Sequence, residues 1–267
     1  PVVFGILFGP AGAWGSGIGN VIGDFFGTLG PGSFFGFFGN FFYAFCAYQI
    51  WDHLFDGYRF NWSESKKIQW KTVIMITILY FFVSGFFTCC YLKNIVTMSK
   101  SIFIIINIIT ILIYIIILTA LWGYVGYYFL TIIVASCACS FIISWGVELL
   151  RLYPYAFLAP IITVNNILMA SVLGPLLLAI IYSRVDNWGL LWKEIMELEL
   201  KSKTTRSKLA AIIIVISVIS GLVLGILISS GVYDFKPFQF AEGTKGNLVI
   251  IVLLPFLLLF LIGVALI

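Results

Sequence analysis

Apolar residues run along this chain in long unbroken blocks, and polar residues gather in the gaps between them. The hydrocarbon core of a bilayer, roughly 30 Å thick, asks for about 20 apolar residues per helix. Eight blocks meet or approach that length: residues 2–26, 33–51, 72–92, 101–122, 127–147, 157–182, 209–232 and 247–267. They are continuous rather than alternating, which predicts helices and argues against the strands of a barrel. The expected fold class is all-α, a polytopic transmembrane helical bundle of about eight segments. Gly30-Pro31-Gly32 separates the first two blocks.

A polar interval at 186–207 divides the chain into an expected transmembrane domain at 1–185 and two additional transmembrane helices at 208–267. Within it, residues 186–203 carry too many charges to span. Leu191, Ile195 and Leu198 recur at helical spacing, and Lys193, Glu197 and Lys201 form an i,i+4 chain. The pattern predicts an amphipathic helix on the membrane surface. It serves either as a juxtamembrane anchor or as a docking surface for a partner.

Composition sharpens the membrane reading. Hydrophobic residues make up 62% of the 267 and charged residues 10%, with mean hydropathy +1.12, more apolar surface than a soluble domain of this length can hide. The net charge of +4 is modest, and no basic stripe or recognition fold points to nucleic acid. Where the charge sits is more informative. Arg59, Lys66, Lys67 and Lys71 lie in the loop 52–71, and Arg184, Lys193, Lys201, Lys203, Arg206 and Lys208 in the loop 183–208. Those ten of the fifteen Lys and Arg fall in two loops separated by four expected crossings, hence on one side. The positive-inside rule makes that side cytoplasmic and the expected location the cell (plasma) membrane. The first residue is Pro1 rather than Met, so a longer or processed chain is expected.

The most informative stretch is the glycine-rich start. Ala11, Gly15, Gly19, Gly23 and Gly27 recur every four residues and make one smooth helix face. Such a face serves internal helix packing or docks another membrane subunit. Polar groups accompany it. Asn20 and Asp24 stand one turn apart, Asn40 lies in the second block, and Asn165 and Asn166 follow Thr163 in the sixth. Polar side chains inside a membrane are costly and face protein or a wet cavity. They either line a site for a polar small molecule or join helices. Trp14 and the run of Phe residues from Phe26 to Phe42 could stack on a planar ligand or face lipid. Glu148 and Arg151, three apart, are expected to pair.

Several chemistries lack their residues. The phosphate-binding GxxxxGK[ST], HExxH and GxSxG patterns are absent, and His53 is the one histidine. The five cysteines, Cys46, Cys89, Cys90, Cys137 and Cys139, sit in apolar blocks and read as small packing residues. No catalytic residue, cofactor or metal site is expected, and the chain is not expected to be an enzyme.

The run FGPAGAWGSGIGNVIGD, the Gly/Pro turn and GSFFGFFGNFF together resemble the substrate-binding S components of energy-coupling factor (ECF) transporters, and TVNNILMASVLGPLLLAIIYSRVDNWGLLW at 163–192 is similar to members of that group. The resemblance covers roughly residues 4–192, so the domain at 1–185 is S-component-like. It implies a small helical membrane protein that captures a vitamin or related micronutrient and works with a transmembrane coupling subunit and ABC ATPases. The missing phosphate loop fits that division of labour. Segments seven and eight lie beyond the family's six or so helices. Under this reading Trp14, Asn20, Asp24, Asn40, Asn165 and Asn166 are the expected substrate contacts, and Ala11, Gly15, Gly19, Gly23 and Gly27 the packing or partner face. Two rival readings stand beside it. One is a self-contained secondary transporter with helices interrupted at Gly9-Pro10 and Gly174-Pro175. The other is a structural or assembly protein that docks through 186–203.

Overall fold

The structure, a computed structural model, describes residues 1–27, 29–55, 77, 80, 84, 88, 99–122, 124–196, 205–230 and 245–267. Every element among these residues is a helix. In chain order they are α1 (Val2–Phe25), α2 (Pro31–His53), α3 (Lys100–Trp122), α4 (Tyr124–Leu149), α5 (Tyr155–Asn187), α6 (Trp192–Ile195), α7 (Thr205–Ser229) and α8 (Lys245–Leu266). Five stretches among the described residues are long and apolar enough to cross a membrane: Val2–Phe25, Gly126–Leu149, Tyr155–Ile195, Thr205–Ser229 and Leu248–Leu266. The protein is an all-α, multi-pass membrane protein. Helix α2 has the length to span, but its glycines, Asn40 and Gln49 dilute its hydropathy and keep it out of that set. The block expected at 72–92, apart from Thr77, Tyr80, Ser84 and Thr88, and residues 56–71 of the basic loop before it lie outside the described residues.

The chain divides into two compact units, Arg59–Leu130 on one hand and Pro1–Tyr58 with Thr131–Ile267 on the other. In the first, the Tyr114 hydroxyl of α3 lies 2.9 Å from Thr77 Oγ1, and its ring stacks on Tyr80 at 4.3 Å. Asn107 and Thr110 turn their side chains back onto carbonyls of α3 itself, a common way to satisfy polar groups on a helix in lipid.

In the larger unit small residues set the helix contacts. A Cβ on Gly39 of α2 would stand 2.3 Å from the Ile143 side chain of α4, and one on Gly146 of α4 would stand 2.0 Å from the Phe35 ring of α2. Helix backbones come this close only where one side supplies no side chain, and close packing drives association where lipid removes the hydrophobic drive. Hydrogen bonds reinforce the contacts. The Tyr43 hydroxyl donates to the Asn166 carbonyl at 3.0 Å and receives Ser136 Oγ at 3.3 Å, and Ser140 donates to the Ala159 carbonyl at 2.6 Å. The last two helices belong to this same unit. Ser229 of α7 accepts the Ala156 N–H at 3.0 Å, Trp145 donates to the Ile250 carbonyl of α8 at 3.2 Å, and Phe260 of α8 meets the Phe42 ring edge-on at 5.0 Å.

Helix α1 departs from the expected straight rod. Gly9 has φ 53° and ψ −123°, outside any helix. A Cβ on Gly12 would lie 2.2 Å from the Phe4 carbonyl oxygen. In an unbroken helix eight residues cover about 12 Å along the axis, so the chain reverses at Gly9-Pro10. The arm Val2–Phe8 folds back along the arm Pro10–Phe25. Glycine suits the positive φ, and Pro10, lacking an N–H, leaves one fewer donor stranded at the start of the second arm. The second arm is about 24 Å long, short of the roughly 30 Å hydrocarbon core, so α1 does not cross as a single rod. Val2, Val3, Gly5, Ile6 and Leu7 of the first arm are buried, which places this interruption inside protein, where broken membrane helices are tolerated.

Helix α5 also runs past its expected end, continuing to Asn187 over 33 residues, about 50 Å by helical rise. It ends where Gly189 takes φ 67°, with Gly189 N–H on the Asp186 carbonyl and Leu190 N–H on the Val185 carbonyl. That glycine-capped stop turns the chain back toward the bundle. The surface helix expected over 186–203 is therefore cut at its start. Its first residues belong to α5, and helix is regained only at Trp192–Ile195, while 197–204 lie outside the described residues.

Candidate functional site

Folding α1 on itself creates a cavity. Between its two arms lies an open space of about 480 Å³, lined by Pro1, Phe4, Phe8, Ala11, Gly12, Gly15, Ser16 and Gly19. Phe4 and Phe8, one turn apart on the first arm, form a wall with their rings stacked at 6.3 Å and 15°. Ala11, Gly12, Gly15 and Gly19 of the second arm form the floor, where missing side chains leave room. Nothing lies within 4 Å of where a Cβ on Gly15 or Gly19 would stand. Ser16 is the polar side chain of the lining, and its hydroxyl donates to the Gly12 carbonyl at 2.7 Å. The volume falls in the range of small-molecule pockets, and the lining suits a ligand with an apolar or aromatic face.

The small-residue face divides into two parts. Ala11, Gly15 and Gly19 line the cavity; Gly23 stands near the end of α1 and Gly27 in the turn beyond Phe25, off the expected helix face, and neither has anything within 4 Å of where a Cβ would stand. Sequence spacing found the floor. The wall escaped it, because Phe4 and Phe8 reach these glycines only through the reversal at Gly9. Their own spacing of four was the available signal.

The polar residues singled out beforehand sort into two groups. Asn20, Asp24 and Asn40 come together: Asn40 Nδ2 donates to Asn20 Oδ1 at 2.8 Å, and Asn20 Nδ2 donates to Asp24 Oδ2 at 3.2 Å. Asn40 Nδ2 also reaches the Gly36 carbonyl at 3.0 Å. This chain of amides and carboxylate joins α1 to α2 where Gly36 lets Asn20 approach, and none of its three members lines the cavity. Trp14 is more than half exposed, meets Phe41 edge-on at 5.1 Å and lies tilted against Phe37 at 6.1 Å.

Asn165 and Asn166 sit elsewhere, on α5. Asn165 is exposed, whereas Asn166 is partly buried and accepts the Tyr43 hydroxyl on its backbone carbonyl. Neither lines the cavity.

Two further groups sit differently from what the sequence suggests. The Glu148 carboxylate accepts the N–H of Tyr155, the first residue of α5. Among the described residues it makes no ion pair with Arg151, because Arg151 occupies a positive-φ turn, φ 58°, and is exposed. Trp192 packs beside the reversal, its ring where a Cβ on Gly9 would lie 2.6 Å away.

Comparison of the chain with protein-family models, with curated proteins and with solved structures finds no match.

Proposed function

We propose that this protein is a membrane subunit that captures a small molecule for uptake, of the kind found in the S components of ECF transporters, with a vitamin or related micronutrient as substrate. The observation that carries the proposal is the place of the cavity. The Phe8-Gly9-Pro10 motif on which the resemblance rests is the point where α1 reverses, and the residues that follow it floor a ligand-sized space. A site of this kind binds by shape and needs no reacting group. Energy then comes from elsewhere, which suits a chain without a phosphate-binding loop and calls for a transmembrane coupling subunit and ABC ATPases as partners. Residence in the plasma membrane, with the loops 52–71 and 183–208 in the cytoplasm, belongs to the same proposal.

The test uses Gly15→Leu. Nothing lies within 4 Å of where a Cβ on Gly15 would stand, so the added side chain starts into the open cavity. The expected result is unchanged thermal stability and loss of the small molecule that accompanies the wild-type protein in native mass spectrometry from mild detergent. Equal ligand occupancy in wild type and variant would move the site away from α1.

A secondary transporter remains the second reading, favoured by the broken helix at Gly9, since interrupted helices build transporter sites. Its other expected interruption does not occur: α5 continues as helix through Gly174 and Pro175. Purified protein alone in liposomes separates the two. Ion-gradient-driven uptake by the chain alone supports this second reading, whereas uptake that requires ATP and added ATPase subunits supports the first.

A further inference from the structure

The reversal in α1 is held from outside the helix. After α5 stops at Gly189, the chain returns to the bundle, and Trp192 enters the notch that the Gly9 break leaves open. Its ring carbons Cγ and Cδ2 would each stand 2.6 Å from a Cβ on Gly9. The same ring meets Tyr48 of α2 edge-on at 5.4 Å and packs on the buried cluster of Ala13, Ala44 and Tyr48. Trp192 thus touches both arms' junction and the neighbouring helix at once. The adjacent Lys193 forms an ion pair with Asp52 at the end of α2, and its ammonium lies 5.7 Å from the Trp192 ring centroid. His53 Nε2 stands 3.9 Å from the other Asp52 oxygen. Of the apolar side chains around this segment, Trp188, Leu190, Ile195 and Met196 stay exposed, whereas Trp192 and Lys193 reach the bundle by the contacts above.

We propose that Leu191–Glu194 is a releasable strap, in which Trp192 wedges the α1 reversal and the Lys193–Asp52 pair fastens the wedge. The Lys193 side chain is about a quarter exposed, so water competes with Asp52 for its ammonium, as a releasable strap requires. The strap leads in sequence straight to Lys201, Lys203, Arg206 and Lys208. With Trp192 withdrawn, Gly9 loses the ring that fills its notch and the first arm is free to move against the second. This inference concerns the hinge itself and holds whatever the cavity binds.

Amide hydrogen exchange on the intact protein in nanodiscs tests it, because exchange reports local opening segment by segment. Four forms are compared: wild type, Trp192→Ala, Lys193→Gln, and the charge swap Asp52→Lys with Lys193→Asp. The strap predicts that exchange over residues 5–13 rises about tenfold in Trp192→Ala and by a smaller factor in Lys193→Gln, while α7 exchanges as in wild type. In the charge swap, exchange over residues 5–13 returns toward the wild-type rate. Unchanged exchange over 5–13 in both single variants overturns the strap. So does a rise of equal size in α7, which would mark Trp192 as general packing, and so does a charge swap no better than Lys193→Gln. Ligand binding is not the readout, so failure of the cavity reading and failure of the strap are distinguishable.

Discussion

Two residues with positive φ show opposite solutions to one problem. Gly189 ends α5 in the left-handed conformation, where glycine carries no steric penalty. Arg151 ends α4 in the same way, with its N–H on the Glu148 carbonyl and the Leu152 N–H on the Val147 carbonyl, yet it carries a side chain there at φ 58°. Left-handed geometry costs a non-glycine residue roughly 1–2 kcal/mol. Arg151 is exposed and, among the described residues, makes no ion pair with the nearby Glu148, so little is lost with its side chain. Arg151→Gly is expected to stabilise the protein by about 1 kcal/mol, read as a higher midpoint of unfolding in detergent. A lower midpoint would mean that the guanidinium holds something the geometry does not reveal.

At the scale of the element, helix ends matter most where lipid offers no water to satisfy them. The start of α5 has Pro154 as its cap, which offers no side-chain hydrogen bond, and Glu148 from the end of α4 supplies the missing acceptor to Tyr155 N–H. A carboxylate at a helix N-terminus also meets the positive end of the helix dipole. Glu148→Ala removes both interactions and is expected to cost about 1–2 kcal/mol, the usual loss on deleting a cap. Glu148→Gln should cost less, since its amide oxygen still accepts. Chemical denaturation of the two variants side by side checks the order, and equal losses would show that hydrogen-bond acceptance is not what the carboxylate contributes. Helix α1 shows a different end effect. It breaks in the middle because Gly9 permits the turn and Pro10 removes a donor, and its short first arm is viable because it is buried among other helices.

For the whole molecule the basic loops make a prediction independent of any ligand. If residues 52–71 and 183–208 share the cytoplasmic side, Ser65→Cys and Ser202→Cys should both react with a membrane-impermeant maleimide in inverted vesicles and stay unlabelled in intact cells. Ser99→Cys, exposed ahead of α3, should show the opposite pattern. Opposite labelling of the first two would overturn the counting of crossings between them. That count depends on α3, α4 and α5 and on the block at 72–92, which lies outside the described residues apart from Thr77, Tyr80, Ser84 and Thr88.

Composition and continuous apolar blocks were enough to determine a multi-pass helical membrane protein, because twenty residues of low polarity have few alternatives to a helix in lipid. Spacing alone also marked the glycine face of α1, and the amides Asn20 and Asn40 were legible as polar groups needing partners. What those groups do was decided by tertiary structure. Whether a glycine face is open or packed depends on which helix arrives: Gly15 meets nothing, while Gly39 and Gly146 meet Ile143 and Phe35. The site needed long-range contacts as well. Phe4 and Phe8 reach the glycine floor only because Gly9 turns the chain back, and Trp192 reaches Gly9 from far along the sequence. Hydrophobic periodicity records how a residue faces its own helix axis. It carries no information about which distant side chain will occupy a notch in the backbone, and here that information lies in the packing.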